Sequence, residues 1–254
     1  VGRRVDLVEA SILIAGGLAA GAVNTLAGGG SLLTVPLLVL IGLPGTVANG
    51  TNRFGILAQS VVAVWRFRAA GIEEWRAAAS LLAPLGLGSL LGAYAIASVA
   101  DETFNRLFGL VMIGLLVPTL RRPTPPESGR DDPESRLWSL PVRWAVFFSI
   151  GLYGGAFQAG VGIVMLVALS HAGFDLVRAN ALKLVVVGAL TLVAFPVFLF
   201  KGQVAWIPAL VIAVGFGAGG ALGAKLAVVG GERLIRPVMA AAVVALAGRM
   251  LGLY

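Results

Sequence analysis

Few polar side chains interrupt the long apolar stretches of this chain, and those that do share one chemistry. In the first half they are Asn49, Thr51, Asn52, Arg53 and Gln59. In the second half they are Asn180 and Lys183. Two more mark Gly-rich interruptions ahead of these sets, Ser31 in the first half and Gln158 in the second. Asn49, Asn52 and Arg53 are spaced i, i+3, i+4, so one helical face carries all three, and Gln59 follows two turns on along roughly the same side. Asn180 and Lys183 are again i, i+3. Every member of the set can donate a hydrogen bond, and two are cations. Each set also falls in the first turns of an expected helix, where unpaired N–H groups and the positive end of the macrodipole point outward. Donors of this kind bind an anion, and an arginine can grip an oxyanion with two parallel bonds.

The missing residues point the same way. All 12 acidic residues fall at expected helix ends or in connections, from Asp6 and Glu9 to Asp175 and Glu232. Arg53 and Lys183 therefore have no carboxylate at their own depth. An uncompensated cation inside a bilayer costs at least ~2.5–3.5 kcal/mol. Either the side chains reach headgroups or neighbouring carbonyls, or the missing partner is a bound anion, and the second reading is the expectation. The same absence argues against a proton relay built on Asp or Glu, and against a dedicated sodium cage.

The elements that must position these residues come from a duplication. Shifted by 131 residues, the chain meets itself: Gly29 falls on Gly160, Gly42 on Gly173, and Ala48-Asn49 on Ala179-Asn180. Gly71 falls on Gly202 and Trp75 on Trp206. Gly86, Gly88 and Gly92 fall on Gly217, Gly219 and Gly223. The chain is 58% hydrophobic and 12% charged, about half the charge of a soluble domain. Apolar runs of bilayer length recur. The expected fold is an all-α polytopic membrane protein, built from two tandem pseudo-symmetric repeats with a site where they meet. The first repeat covers 1–120, a Pro-rich charged linker covers 121–141, and the second repeat covers 142–254.

Each repeat opens with a broken segment. Leu7 to Ile41 would run about 52 Å as one helix, too long for a ~30 Å hydrocarbon core. It breaks at Ala27-Gly28-Gly29-Gly30-Ser31, and the second copy breaks at Gln158-Ala159-Gly160-Val161-Gly162. The segment is either a span followed by a half-helix or a re-entrant hairpin, and irregular backbone at that depth must be buried or line a cavity. Helices are expected over 46–68, 75–99 and 102–120, and again over 177–200, 204–229 and 232–253. The GxxxG spacings at 88–92 and 219–223 read as seams of close helix packing. Positive-inside counting places the linker in the cytoplasm under either treatment of the broken segment, and does not separate parallel from inverted repeats. Inverted repeats are the expectation, because alternating access follows from that symmetry.

Other classes fit less well. The net charge of +7 reflects basic residues in short connections rather than a nucleic-acid surface. With no cysteine and a single histidine, His171, no metal site or cofactor is expected. An N-terminal signal peptide is not expected, because residues 11–30 have a counterpart at 142–161. Intramembrane catalysis would need a nucleophile, acid or metal set that the spans lack. A passive anion channel and an uptake permease stay open as alternatives. The oligomeric state is likewise open, a homodimer included.

Two paired motifs carry a family resemblance. Ala27-Gly28-Gly29-Gly30-Ser31-Leu32-Leu33-Thr34-Val35-Pro36, followed by Ala48-Asn49-Gly50-Thr51-Asn52-Arg53, resembles the first-half signature of the TauE/SafE sulfite exporters. Ala159-Gly160-Val161-Gly162, followed by Arg178-Ala179-Asn180-Ala181-Leu182-Lys183, resembles its second copy. The likeness covers nearly everything outside the linker. It implies export of sulfite or a related small sulfur-containing anion, such as a sulfonate, across the bacterial inner membrane. It also places Asn49, Asn52, Arg53, Asn180 and Lys183 at the substrate. Gln158 departs from the small residue at its first-half counterpart, Ala27.

Overall fold

The computed structural model describes residues 5–26, 28–72, 74–120, 139–172, 174, 176–229 and 250–251. Among the described residues all regular structure is helical: α1 (Leu7–Leu26), α2 (Ser31–Leu40), α3 (Gly45–Ala69), α4 (Trp75–Ile96), α5 (Asp101–Leu120), α6 (Leu140–Ala156), α7 (Val161–His171), α8 (Leu176–Phe200) and α9 (Trp206–Val229). The first break falls between Leu26 and Ser31 as the glycines predict, and the second between Ala156 and Val161, so Val161 and Gly162 of the expected break already belong to α7. Most of the linker, 121–138, and most of the last expected helix, 232–253, lie outside the described residues. α6 starts slightly before the expected 142, with Leu140 opening it and Pro141 in its first turn, where a missing N–H costs nothing.

Carboxylates serve the starts of α1 and α3. Asp6 and Glu9 cap α1 reciprocally: Glu9 N–H donates to Asp6 Oδ1 at 2.8 Å, and Asp6 N–H donates to Glu9 Oε2 at 3.2 Å. Asp101 opens α5 but also serves a neighbour. Its Oδ1 accepts from Thr46 N–H at 2.9 Å and from Thr46 Oγ1 at 2.7 Å, satisfying an orphan donor at the start of α3.

Packing fixes the helix directions. Gly17 and Gly21 of α1 lie against Ile212 and Phe216 of α9, while Gly219 and Gly223 lie against Leu18 and Ala22 of α1. The two helices therefore run the same way. So do α4 and α6, where Gly88 and Gly92 meet Phe148 and Leu152, and Gly151 and Gly155 meet Leu85 and Ser89. At both seams a single Cβ would strike backbone of the opposite helix, which is why glycine occupies them. Gly86 and Gly217 are different: a Cβ at Gly86 meets nothing within 4 Å, and one at Gly217 only brushes Val62 at 3.9 Å. α3 runs alongside α9, with Gly55 on Phe216 and Gln59 on Gly220. It runs against α8, with Phe54 on Phe195 and Ser60 on Gly188. α4 runs with α8, from the Glu74–Arg178 contact at their starts to Ser89 on Leu190.

α2 doubles back on α1. Gly30 sits against Ala20 and Asn24, and Leu37 against Gly16, so α1 and α2 form a hairpin rather than a continuous span. Its tip touches the other break, with Gly28 against Gly162. One end of the bundle gathers Arg66, Arg68, Arg76, Arg143 and Arg178, and the other gathers Asp6, Glu9, Asp101 and Glu102. Leu18, Leu87, Leu91, Tyr94, Leu110 and Val214 are exposed and apolar, while Trp65, Trp75, Trp144 and Trp206 lie half-exposed nearer helix ends, as in an aromatic belt.

Candidate functional site

The two cations sit at the ends of α1 and α6, and each reaches into the opposite half of the chain. Arg53 of α3 is fully buried. Its Nη1 donates to Gln158 Oε1 at 2.9 Å and to Gly154 O at 3.4 Å. Its Nη2 donates to Gly155 O and, at 3.3 Å, to Ala156 O. Lys183 of α8 is 1% exposed, and its Nζ donates to Asn24 O and Thr25 O, each at 3.0 Å. The acceptors are the last carbonyls of α6 and of α1, groups that a helix end leaves without intrahelical partners. They also carry the negative end of each helix dipole. Sequence left both cations without a counter-ion; the fold supplies one, built from backbone. The anion expected as their partner is not needed to account for their burial.

Asn49 reinforces the first of these caps, its Nδ2 donating to Ala156 O at 2.8 Å. Arg53 also lies over the ring of Phe198, with Cζ 4.5 Å from the centroid. A cation–π contact of this kind is favourable where water is excluded.

The remaining predicted residues divide. Asn52 Nδ2 donates to Ser31 Oγ at 3.0 Å, and its Oδ1 accepts from Thr34 Oγ1 at 2.5 Å, so α3 is tied to the start of α2. Gln59 Oε1 accepts from Asn24 Nδ2 at 2.5 Å, and its Nε2 donates to Thr25 Oγ1 at 2.8 Å, tying α3 to the end of α1. Gln158 bridges Arg53 and Thr191, donating from Nε2 to Thr191 Oγ1 at 2.7 Å. Thr51 is turned away, its Oγ1 accepting from Ala205 N–H at 3.0 Å in the α8–α9 connection. Asn180 is buried, and its Oδ1 has no hydrogen-bond partner among the described residues; the same holds for Asn49 Oδ1 and Arg53 Nε.

Gln158 has an unusual backbone. Its φ is 59°, a left-handed conformation that favours glycine and costs other residues about 1–2 kcal/mol. Its side chain is bonded at both ends, which holds it there. Its first-half counterpart, Ala27, lies outside the described residues.

Sequence reasoning overlooked Asn24, Thr25, Thr34 and Thr191. Asn24 was accessible as a polar residue inside an apolar run. Thr25, Thr34 and Thr191 were not, because threonine bonds to its own helix in any span; Thr191 Oγ1 does donate to Val187 O at 2.6 Å.

Helices long and apolar enough to cross a bilayer occur at Leu7–Leu26, Trp75–Ile96, Val177–Phe200 and Trp206–Leu226. α3 carries Asn49, Asn52, Arg53 and Gln59 and is correspondingly less apolar. Apolar helices of this length, surrounding hairpins broken at depth and buried cations on helix ends, define an α-helical membrane protein whose polar machinery is internal.

Comparison with known proteins specifies the class further. The chain belongs to the TauE/SafE family: the family model described as "Sulfite exporter TauE/SafE" matches residues 13–250. A "Probable membrane transporter protein" of Haemophilus influenzae is 31% identical over 236 residues, which cover 92% of this chain and 91% of that protein. "Probable membrane transporter protein ORF9" of Sinorhizobium is 28% identical over 233 residues, covering 91% of this chain and 88% of its own. "Probable membrane transporter protein YfcA" of Escherichia coli K12 is 26% identical over 221 residues, covering 87% and 81%. No solved structure gives a significant match.

Proposed function

We propose that this chain exports sulfite or a related small sulfur oxyanion across the bacterial inner membrane, by alternating access of two inverted repeats. The observation that carries the reading is the reciprocal capping. Arg53 of the first repeat holds Gly155 O and Ala156 O at the end of α6, and Lys183 of the second holds Asn24 O and Thr25 O at the end of α1. Shifted by 131, Asn24-Thr25 and Gly155-Ala156 are the same positions. Each repeat thus presents a cation to the other's broken helix.

Inversion is supported by the helix directions. α1, α3 and α9 run one way and α4, α6 and α8 the other, so α1 opposes α6, α3 opposes α8, and α4 opposes α9, the pairs related by the shift. The basic end of the bundle, with Arg66, Arg68, Arg76, Arg143 and Arg178, is the cytoplasmic one by the positive-inside rule.

In this reading the anion takes the place of the helix-end carbonyls. Arg53 and Lys183 turn to it from their backbone cages. Asn49, Asn52, Gln59, Asn180, Gln158 and Ser31 offer donors around it, and Thr51 sits at the edge of the site. The exchange trades neutral backbone acceptors for an anionic one, so the cations stay hydrogen-bonded throughout and no bare charge is exposed in a low-dielectric interior.

Proteoliposomes loaded with sulfite test the proposal. Saturable efflux with counterflow is expected, together with loss of flux in Arg53→Met and Lys183→Met. Flux that never saturates would point to a channel. Unchanged saturable flux with both cations replaced would overturn the site. A reporter fused to the C-terminus checks the topology, since a cytoplasmic signal there excludes inversion.

A further inference from the structure

We propose that Phe67 and Phe198 are the two gates of this transporter, one at each end of the seam between α3 and α8. The inference rests on the transporter reading above. It adds the buried aromatic that packs beside each cation, one toward each end of the seam.

The two helices run antiparallel, so residues near the end of one face residues near the start of the other. Phe67, 3% exposed, lies near the end of α3 and packs with Ala63 of its own helix, Ala181 and Leu184 of α8, and Ala224 of α9. This cluster is separate from the main core. Three of its five buried members are alanines, so the aromatic ring supplies much of its bulk, with Leu184 beside it. Phe198, fully buried, lies near the end of α8. Its Cβ is 3.0 Å from the position a Cβ would take at Gly50, and its ring lies under Arg53.

The two phenylalanines are 131 residues apart, and so are their surroundings. Ala181 and Leu184, which face Phe67, correspond to Gly50 and Arg53, which face Phe198. Seven residues inward from each ring is a buried hydroxyl, Ser60 in α3 and Thr191 in α8. Arg53 lies against the Phe198 ring, and Lys183 stands between Ala181 and Leu184, the residues that face Phe67.

Outside each ring the closure is completed differently. Beyond Phe67, Glu74 pairs with Arg178 at 2.5 Å, joining the α3–α4 connection to the start of α8. Beyond Phe198, Gln203 Nε2 donates to Ala97 O at 3.0 Å, and Ala205 N–H donates to Thr51 Oγ1 at 3.0 Å. A path closed at both ends by a buried aromatic is what a transporter in its occluded state requires. Opening one end costs the burial of one ring while the other ring stays buried. The ion pair lies on the basic end of the bundle and the neutral contacts on the other, so the two gates answer differently to salt.

The chain contains no cysteine, which makes the test direct. Single reporters Ser60→Cys and Thr191→Cys are labelled in membranes with an impermeant maleimide, applied to inside-out vesicles or to spheroplasts. Phe67→Ala is expected to speed labelling of the Ser60→Cys reporter by at least about tenfold, from the cytoplasmic side only, because it removes buried aromatic contacts made only when that end is closed. Phe198→Ala is expected to do the same for the Thr191→Cys reporter from the opposite side. Phe67→Leu and Phe198→Leu should give intermediate rates, and they carry the test if either alanine variant fails to fold. Labelling that stays at the parent rate in the alanine and leucine variants alike, with the unfolding midpoint preserved, overturns the proposal. Equal acceleration from both sides also overturns it, since that marks general loosening rather than a gate. Labelling needs no anion, so failure of sulfite flux leaves this result standing, and failure here leaves the anion site standing.

Discussion

Gln158 offers a test in which the structure supplies both the sign and the size. Its φ of 59° stores backbone strain of about 1–2 kcal/mol for any residue but glycine. Its side chain accepts from Arg53 and donates to Thr191, at 2.9 and 2.7 Å. The bond to a buried cation contributes about 1.5–3 kcal/mol and the neutral one about 0.5–1.5 kcal/mol. Gln158→Ala removes both bonds and keeps the strain, so it should destabilise by about 2–4 kcal/mol. Gln158→Gly removes the same bonds and also releases the strain. Glycine's larger unfolded-state entropy returns part of that release, which leaves the glycine variant about 1 kcal/mol more stable than the alanine variant. The subtraction isolates the backbone from the side chain. Unfolding of the purified protein by SDS titration in mixed micelles measures both variants on one scale. If the alanine variant equals or exceeds the glycine variant, residue 158 is not held in a left-handed conformation, and the account of why a bulky amide occupies that break fails. Both variants should also slow sulfite flux, since each leaves Arg53 with one acceptor fewer.

Other outcomes follow from the same contacts. Arg53→Met orphans Gly155 O and Gln158 Oε1, at about 1–3 kcal/mol each, and is partly offset by removing a buried cation worth ~2.5–3.5 kcal/mol; the net loss in the same titration should be modest while flux is abolished, and a large stabilisation would contradict the helix-cap role. Gly88→Ala places a Cβ 2.7 Å from Leu152 N and should cost about 1–3 kcal/mol by overpacking. Two residues away, Gly86→Ala meets open space and should stabilise by about 0.5–1 kcal/mol, so a thermal-unfolding comparison with the wrong order would refute the α4–α6 seam. Glu74→Gln breaks a pair whose Arg178 side chain is 49% exposed, so its effect on stability should stay below ~1 kcal/mol and shrink as salt is raised; a larger, salt-independent loss would mean that the pair is structural.

Much of the fold was legible in the sequence. The breaks at 27–31 and 158–162 follow from runs of glycine inside segments too long to be one span. The seams at Gly88 and Gly92 and at Gly219 and Gly223 follow from small residues at a spacing of four. Gly86 and Gly217, which share the same 131-residue register, sit on the far side of their helices, where an added Cβ meets little; spacing identifies a face but not which face is packed. The site was legible as an inventory and not as a geometry. Ser31, Asn49, Asn52, Arg53, Gln59, Gln158 and Lys183 do enter the bonded network around the hairpin ends, whereas Thr51 serves the α8–α9 connection. That Arg53 and Lys183 could reach neighbouring carbonyls was one of two readings open in the sequence; which carbonyls they reach was not legible, because carbonyls are present at every residue and carry no sequence signal.

The amino-acid sequence by itself determined that this is a helical membrane protein, where its helices break, and that its interior polar groups are amides, hydroxyls and cations. Hydropathy, glycine runs and residue inventory are properties of a single line of chain, and so is the 131-residue register. What only the tertiary structure decided is which groups those residues answer to. Arg53 finds its acceptors 101–105 residues away and Lys183 finds its own 158–159 residues away. A carbonyl becomes available as a partner only because a helix stops there. It comes within reach of a cation only because packing carries that helix end to the opposite half.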